Sequence, residues 1–101
     1  MGATLAGGGV NPMTRERVFS RRTALVLRAL MMTCGLYDGS GDFAVRVGFP
    51  AKSGVGGGIM GSVAGRAGVA VAGPALDERG NSIGGIRTLE ELSKSLSLRV
   101  L

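Results

Sequence analysis

Lys52 and Ser53 stand together in PAKSGVGGG, Pro50 to Gly58, and Tyr37 precedes them in CGLYDGSG. Histidine is absent from the chain, which removes the commonest general base and a frequent metal ligand. Acid–base or nucleophilic chemistry therefore falls to lysine, tyrosine, serine and the carboxylates. A lysine and a serine set into glycines admit a phosphate cradle, a catalytic strand edge or a flexible linker. A phosphate loop of the Walker type places a glycine directly before its lysine, so that backbone N–H groups wrap the anion; Ala51 occupies that position and excludes the cradle. The glycines are interspersed with apolar residues, which argues against a low-complexity linker. A strand edge remains, alongside the plainer account of a surface lysine entering a glycine-rich strand. For Tyr37 the local alternatives are a proton carrier and a tyrosine packed at a helix end with its hydroxyl in water. An ordinary phenol titrates at about 10, so proton transfer requires a cation close by.

Composition narrows what can hold these residues. The 101 residues allow one domain at most, and 19 glycines with only four aromatic residues make the 45% apolar fraction one of small side chains. Independent stability is doubtful on that ground. The formal charge of +5 is concentrated at Arg15, Arg17, Arg21, Arg22 and Arg28. No zinc, RRM-type or KH-type pattern accompanies these arginines, so a basic helix end in solvent is expected rather than a nucleic-acid surface. A single cysteine, Cys34, excludes an internal disulfide and fits a reducing cytoplasm. The N-terminus lacks the basic stretch and apolar run of a secretory signal. The apolar region from Gly54 to Leu76 carries Arg66 near its middle and many glycines, so no membrane span is expected there.

The elements that must position the chemistry follow from periodicity. SRRTALVLRALMMTCG predicts a helix over about 21–34, capped by Ser20 and ended by Gly35 in a left-handed conformation. Its residues are apolar on nearly every side, so it expects cover on more than one face. FAVRVGF alternates Phe43, Val45, Val47 and Phe49 with other residues, the period of a half-buried strand that Pro50 then breaks. A second strand is expected from Lys52 through Val63, a turn at Ala64 to Gly68, and a return through GVAVAG. After a polar loop from Asp77 to Asn81, a helix over about 82–98 puts Ile86, Leu89, Leu92 and Leu96 on one side. The expected order is helix, strands, helix.

Lysine–serine–glycine on a strand edge is a variant of the K-T-G element of penicillin-binding proteins and β-lactamases. A much longer match surrounds it. CGLYDGSGDFAVRVGFPAKSGVGGGI, Cys34 to Ile59, closely resembles the serine-dependent glutaminase pattern CGMYD-x-SG-x-FA-x-x-VG-x-PAKSGV-x-GGI. ATLAGGGVNP near the start resembles that family's ATLANGGVNP, and PALDERGNSIGGI resembles its SPPLD-x-x-GNS-x-x-GI. Gly7 stands where the family has an asparagine, Val45 where it has a tyrosine, and Gly73 and Ala75 replace a serine and a proline; none of these touches Tyr37 or Val55.

The resemblance implies an α/β (α+β) fold: the C-terminal part of a β-lactamase or penicillin-binding-protein-like domain, an antiparallel sheet flanked by helices. It implies that residues 1–101 are the C-terminal fragment of a single glutaminase domain. The family's nucleophilic serine and its lysine, in an S-x-x-K motif, lie upstream of the matched part, and this sequence contains no S-x-x-K. Carried over, Tyr37 is the catalytic tyrosine that contacts the substrate L-glutamine and moves protons beside the serine. Val55 is the substrate-binding position whose backbone N–H stabilises the oxyanion. Lys52 and Ser53 act in support. The implied reaction needs no metal or organic cofactor, and the implied complete enzyme is a cytoplasmic homo-oligomer, dimer or tetramer, without nucleic-acid or membrane partners. Alternatives are another serine acyl-hydrolase of the same fold, or a non-catalytic fragment that only associates with full-length subunits.

Overall fold

The computed structural model describes residues 1–101. Helices α1 (Gly2–Ala6), α2 (Arg21–Cys34) and α3 (Ser40–Arg46) precede strands β1 (Ala51–Ser53), β2 (Gly58–Val63) and β3 (Ala67–Ala72), and α4 (Ile83–Leu96) closes the chain. The strands form one antiparallel sheet in the order β1-β2-β3. Lys52 lies opposite Met60, and Ile59 opposite Val71.

Leu36, Phe43, Val47, Phe49, Ile59, Val63 and Leu89 pack into one core between the sheet, α3 and α4. The Phe43 and Phe49 rings meet edge-on with centroids 6.1 Å apart. Ser93, fully buried on α4, donates its hydroxyl to the Val47 carbonyl at 2.6 Å and ties the end of α3 to that helix. Both long helices start as their sequences require. The Ser20 hydroxyl accepts from the Thr23 N–H at 3.1 Å and the Ser82 hydroxyl from the Gly85 N–H at 3.0 Å.

The expected strand over FAVRVGF is a helix in its first part. Alternation at Phe43, Val45 and Val47 fits a strand, but Phe43 and Val47 are also one helical turn apart, and it is these two that are buried while Val45 faces solvent. Asp42 in the first turn and Arg46 in the last suit the helix dipole and pair at 3.5 Å. The single strand expected over Lys52–Val63 is two, β1 and β2, because Gly57 adopts a positive φ of 93° and turns the chain back on itself. The return strand β3 and the α4 helix stand where the patterning puts them, although Leu96 is exposed. The short α1 carries no periodic signal; it rests against β2 and β3.

Gly35 does not end α2 in a left-handed conformation; its φ and ψ are −69° and −23°. Glycine is required there for a different reason. A Cβ on Gly35 would lie 1.8 Å from the Ala51 carbonyl oxygen, so the missing side chain lets β1 pass directly over the helix end. Of α2 itself only Ala24 and Met31 are buried, and Leu25, Val26, Leu27 and Leu30 are all exposed. The helix that expects cover on several faces receives it on one. No helix is long and apolar enough to cross a membrane.

Candidate functional site

The close passage of β1 over Gly35 brings Lys52 and Ser53 against the CGLYD turn. The Ser53 N–H donates to the Gly35 carbonyl at 3.0 Å, extending the sheet's hydrogen bonding onto the end of α2. The Lys52 ammonium donates to the same carbonyl at 3.1 Å and to the Ser53 carbonyl. From there it sits over the Tyr37 ring, 4.7 Å from the centroid, a cation–π contact worth about 0.5–1 kcal/mol at an exposed position. Lys52 is therefore a direct neighbour of Tyr37.

Tyr37 has a φ of 54°, a left-handed conformation that an L-residue with a large side chain seldom takes. The residue is 45% exposed. Ser40 bridges the turn beneath it, accepting from the Leu36 N–H at 2.9 Å and donating to the Tyr37 carbonyl at 2.8 Å. Strain held by surrounding hydrogen bonds at an exposed, chemically capable residue is a mark of functional sites.

Val55 lies in the loop between β1 and β2. The Gly57 N–H bonds back to the Gly54 carbonyl at 3.0 Å, while neither Val55 nor Gly56 has a positive φ. These features define a type I turn followed by a left-handed glycine, a common three-residue hairpin. The N–H at the second position of such a turn points away from the turn's own hydrogen bond, and the Val55 N–H has no partner within the chain. Val55 is 72% exposed. Gly80 joins the two candidate residues: a Cβ placed on it would lie 3.8 Å from the Tyr37 ring and 3.9 Å from Val55 Cγ1. Tyr37 thus has the Lys52 ammonium over its ring and, across Gly80, the Val55 side chain for a neighbour, which brings a phenol, an ammonium and a residue with a free backbone donor into one region of the surface.

Asn81 escaped the sequence reading as a site residue, although it stands in the quoted GNS stretch. It is fully buried, accepting from the Ser53 hydroxyl at 2.5 Å and donating to the Leu36 carbonyl at 2.9 Å. Beside the site, an apolar groove of about 430 Å³ runs along α2 past Leu27, Leu30, Met31 and Met60 and reaches Lys52. No three histidine, cysteine, aspartate or glutamate side chains converge as a metal site would require. Away from the site, Glu90 pairs with Arg46 at 2.8 Å, and the hydrogen bond from that guanidinium holds the Glu90 carboxyl below its usual range.

The family model described as Glutaminase matches residues 1–101. A glutaminase of Clostridioides difficile (strain 630) is 53% identical over 100 residues, covering 99% of this chain and 32% of its own length. A glutaminase of Clostridium botulinum (strain Hall) is likewise 53% identical, with 33% of its length covered. Among solved structures, the probable glutaminase ybaS superposes with a TM-score of 0.95 at 50% identity, over 99% of this chain and 32% of that one. A probable glutaminase from Bacillus subtilis, solved in complex with 6-diazo-5-oxo-L-norleucine, superposes at 0.92 with 39% identity, over 99% of this chain and 35% of that one. The chain spans about a third of the length of the curated relatives it matches.

Proposed function

This chain belongs to the glutaminase family, and on that footing we propose that it carries one wall of an active site that hydrolyses the side-chain amide of L-glutamine to L-glutamate and ammonia. A serine hydroxyl from an S-x-x-K segment, which residues 1–101 do not contain, adds to the amide carbonyl. The carbonyl oxygen becomes an oxyanion, and the Val55 N–H donates to it. Tyr37 passes the serine's proton to the departing nitrogen as the C–N bond breaks and ammonia leaves. Water then adds to the glutamyl-serine ester, and its collapse returns the serine hydroxyl and releases glutamate. The neighbouring Lys52 ammonium packs over the phenol ring and helps to hold it in place. No cofactor enters these steps. The observation that carries the proposal is the placing of Tyr37 under the Lys52 ammonium and, across Gly80, beside Val55, whose N–H is unpartnered.

A second reading, a fragment that binds full-length subunits without catalysis, is favoured by the bare apolar groove on α2. A homo-oligomeric complete enzyme in the reducing cytoplasm agrees with that exposed surface and with the single free thiol of Cys34. Ammonia release from L-glutamine separates the two. We expect none from the 101-residue chain. Joined to the upstream two-thirds of the Clostridioides difficile relative, the chain supports turnover, and Tyr37→Phe lowers kcat by about 10²-fold or more while the fold survives. Unchanged turnover in Tyr37→Phe refutes the role assigned to the phenol.

A further inference from the structure

Tyr37 is held in its left-handed conformation by more than its own turn. The φ of 54° orients the peptide between Leu36 and Tyr37, and the carbonyl of that peptide receives two donors: the Gly39 N–H at 3.0 Å from within the turn, and Asn81 Nδ2 at 2.9 Å from across the fold. The orientation of the Asn81 amide is dictated by its partners. Leu36 offers only an acceptor, so the nitrogen must face it, and Oδ1 is left to accept the Ser53 hydroxyl at 2.5 Å. Reversing the amide would set two acceptors against each other in a site with no access for water.

Asn81 is itself anchored. Its N–H donates to the Asp77 carboxylate at 3.0 Å and its carbonyl accepts from the Asp77 N–H at 2.8 Å, which closes the Asp77–Asn81 loop. One amide therefore ties three segments that meet at the site: the turn bearing Tyr37, the strand bearing Lys52, and the loop bearing Gly80. We propose that Asn81 is a positioning residue for Tyr37, locking the strained Leu36–Tyr37 peptide so that the ring stays under the Lys52 ammonium. The catalytic significance of the lock rests on the role of Tyr37 proposed above; the lock itself is read without any turnover.

Tyr37 is the only tyrosine in a chain without tryptophan, so the tyrosine band in near-ultraviolet circular dichroism reports this ring alone, and Tyr37→Phe identifies it. Asn81→Leu keeps approximate size and removes both hydrogen bonds. Asn81→Asp donates to Leu36 while its carboxyl is protonated and opposes that carbonyl with a charge once ionised. Leu89→Ala, in the core and outside the lock, supplies a comparable loss of stability. We expect the tyrosine band to collapse in Asn81→Leu at unchanged far-ultraviolet signal. In Asn81→Asp it persists at acid pH and disappears as the carboxyl ionises, over a range in which the wild type is flat, and in Leu89→Ala it is retained. A band indifferent to Asn81→Leu, or equally reduced by Leu89→Ala, overturns the proposal. If Asn81→Leu does not fold, the pH series of Asn81→Asp decides alone. A pH-independent band there, or failure of Asn81→Asp to fold even with its carboxyl protonated, assigns Asn81 to general stability and overturns the lock.

Discussion

Val55→Pro isolates the backbone role assigned to Val55, because the geometry of its turn allows proline without rebuilding the loop. Val55 occupies the second position of a type I turn, where φ is about −60°, the value that the proline ring imposes. Its N–H serves no hydrogen bond within the chain, so proline deletes the donor proposed above for the oxyanion and none that holds the hairpin. Losing one donor to a developing oxyanion costs about 3 kcal/mol, or roughly 10²-fold in kcat. Val55→Ala keeps the N–H. Complete burial of a valine contributes roughly 1.5–3 kcal/mol, but Val55 is 72% exposed, so the truncation removes only about half a kcal/mol of packing and leaves turnover close to that of the unsubstituted chain. The assay is ammonia release from L-glutamine by the chain joined to the upstream two-thirds of the Clostridioides difficile relative, with far-ultraviolet circular dichroism confirming the fold of each variant. Equal damage from alanine and proline would refute a backbone role, and so would a well-folded proline variant with undiminished kcat.

The exposed Leu25, Val26, Leu27 and Leu30 of α2 predict concentration-dependent self-association of the 101-residue chain, relieved by Leu30→Glu; sedimentation velocity showing a monomer at all concentrations contradicts this. Gly35→Ala forces a Cβ to 1.8 Å from the Ala51 carbonyl oxygen, so β1 must lift from the end of α2; loss of hydrogen-exchange protection at the Ser53 N–H is the expected signature, and full protection argues otherwise. Because the Glu90 carboxyl is held below its usual range, the stability it adds is present above that range and is lost as pH falls through its lowered folded-state value. Denaturant midpoints of the wild type should therefore fall across that acid window more than those of Glu90→Gln, and parallel pH curves rule the contribution out. The effect is small and shrinks further in salt, since the pair lies at the surface.

Sequence alone determined the elements whose signals are local. α2 and α4 begin at serines whose hydroxyls cap them, and GVAVAG returns as a strand after its glycine-rich turn, because capping and turn chemistry act within a few residues. The long run from Cys34 to Ile59 also carried the family and put Tyr37 and Val55 forward as site residues. Tertiary structure decided what a period could not. Phe43 and Val47 satisfy both a strand and a helix, and only the core that receives them, with Phe49, Leu89 and the Ser93 hydroxyl, selects the helix. Gly35 was legible as a glycine at a helix end, but its cause, the passage of β1, comes from residues remote in the chain. Asn81 lay in plain view and gave no local sign of its partners. Its hydrogen bonds to Leu36 and Ser53 exist only once three segments far apart in sequence have met, and a buried amide acquires its role from the groups that folding brings to it.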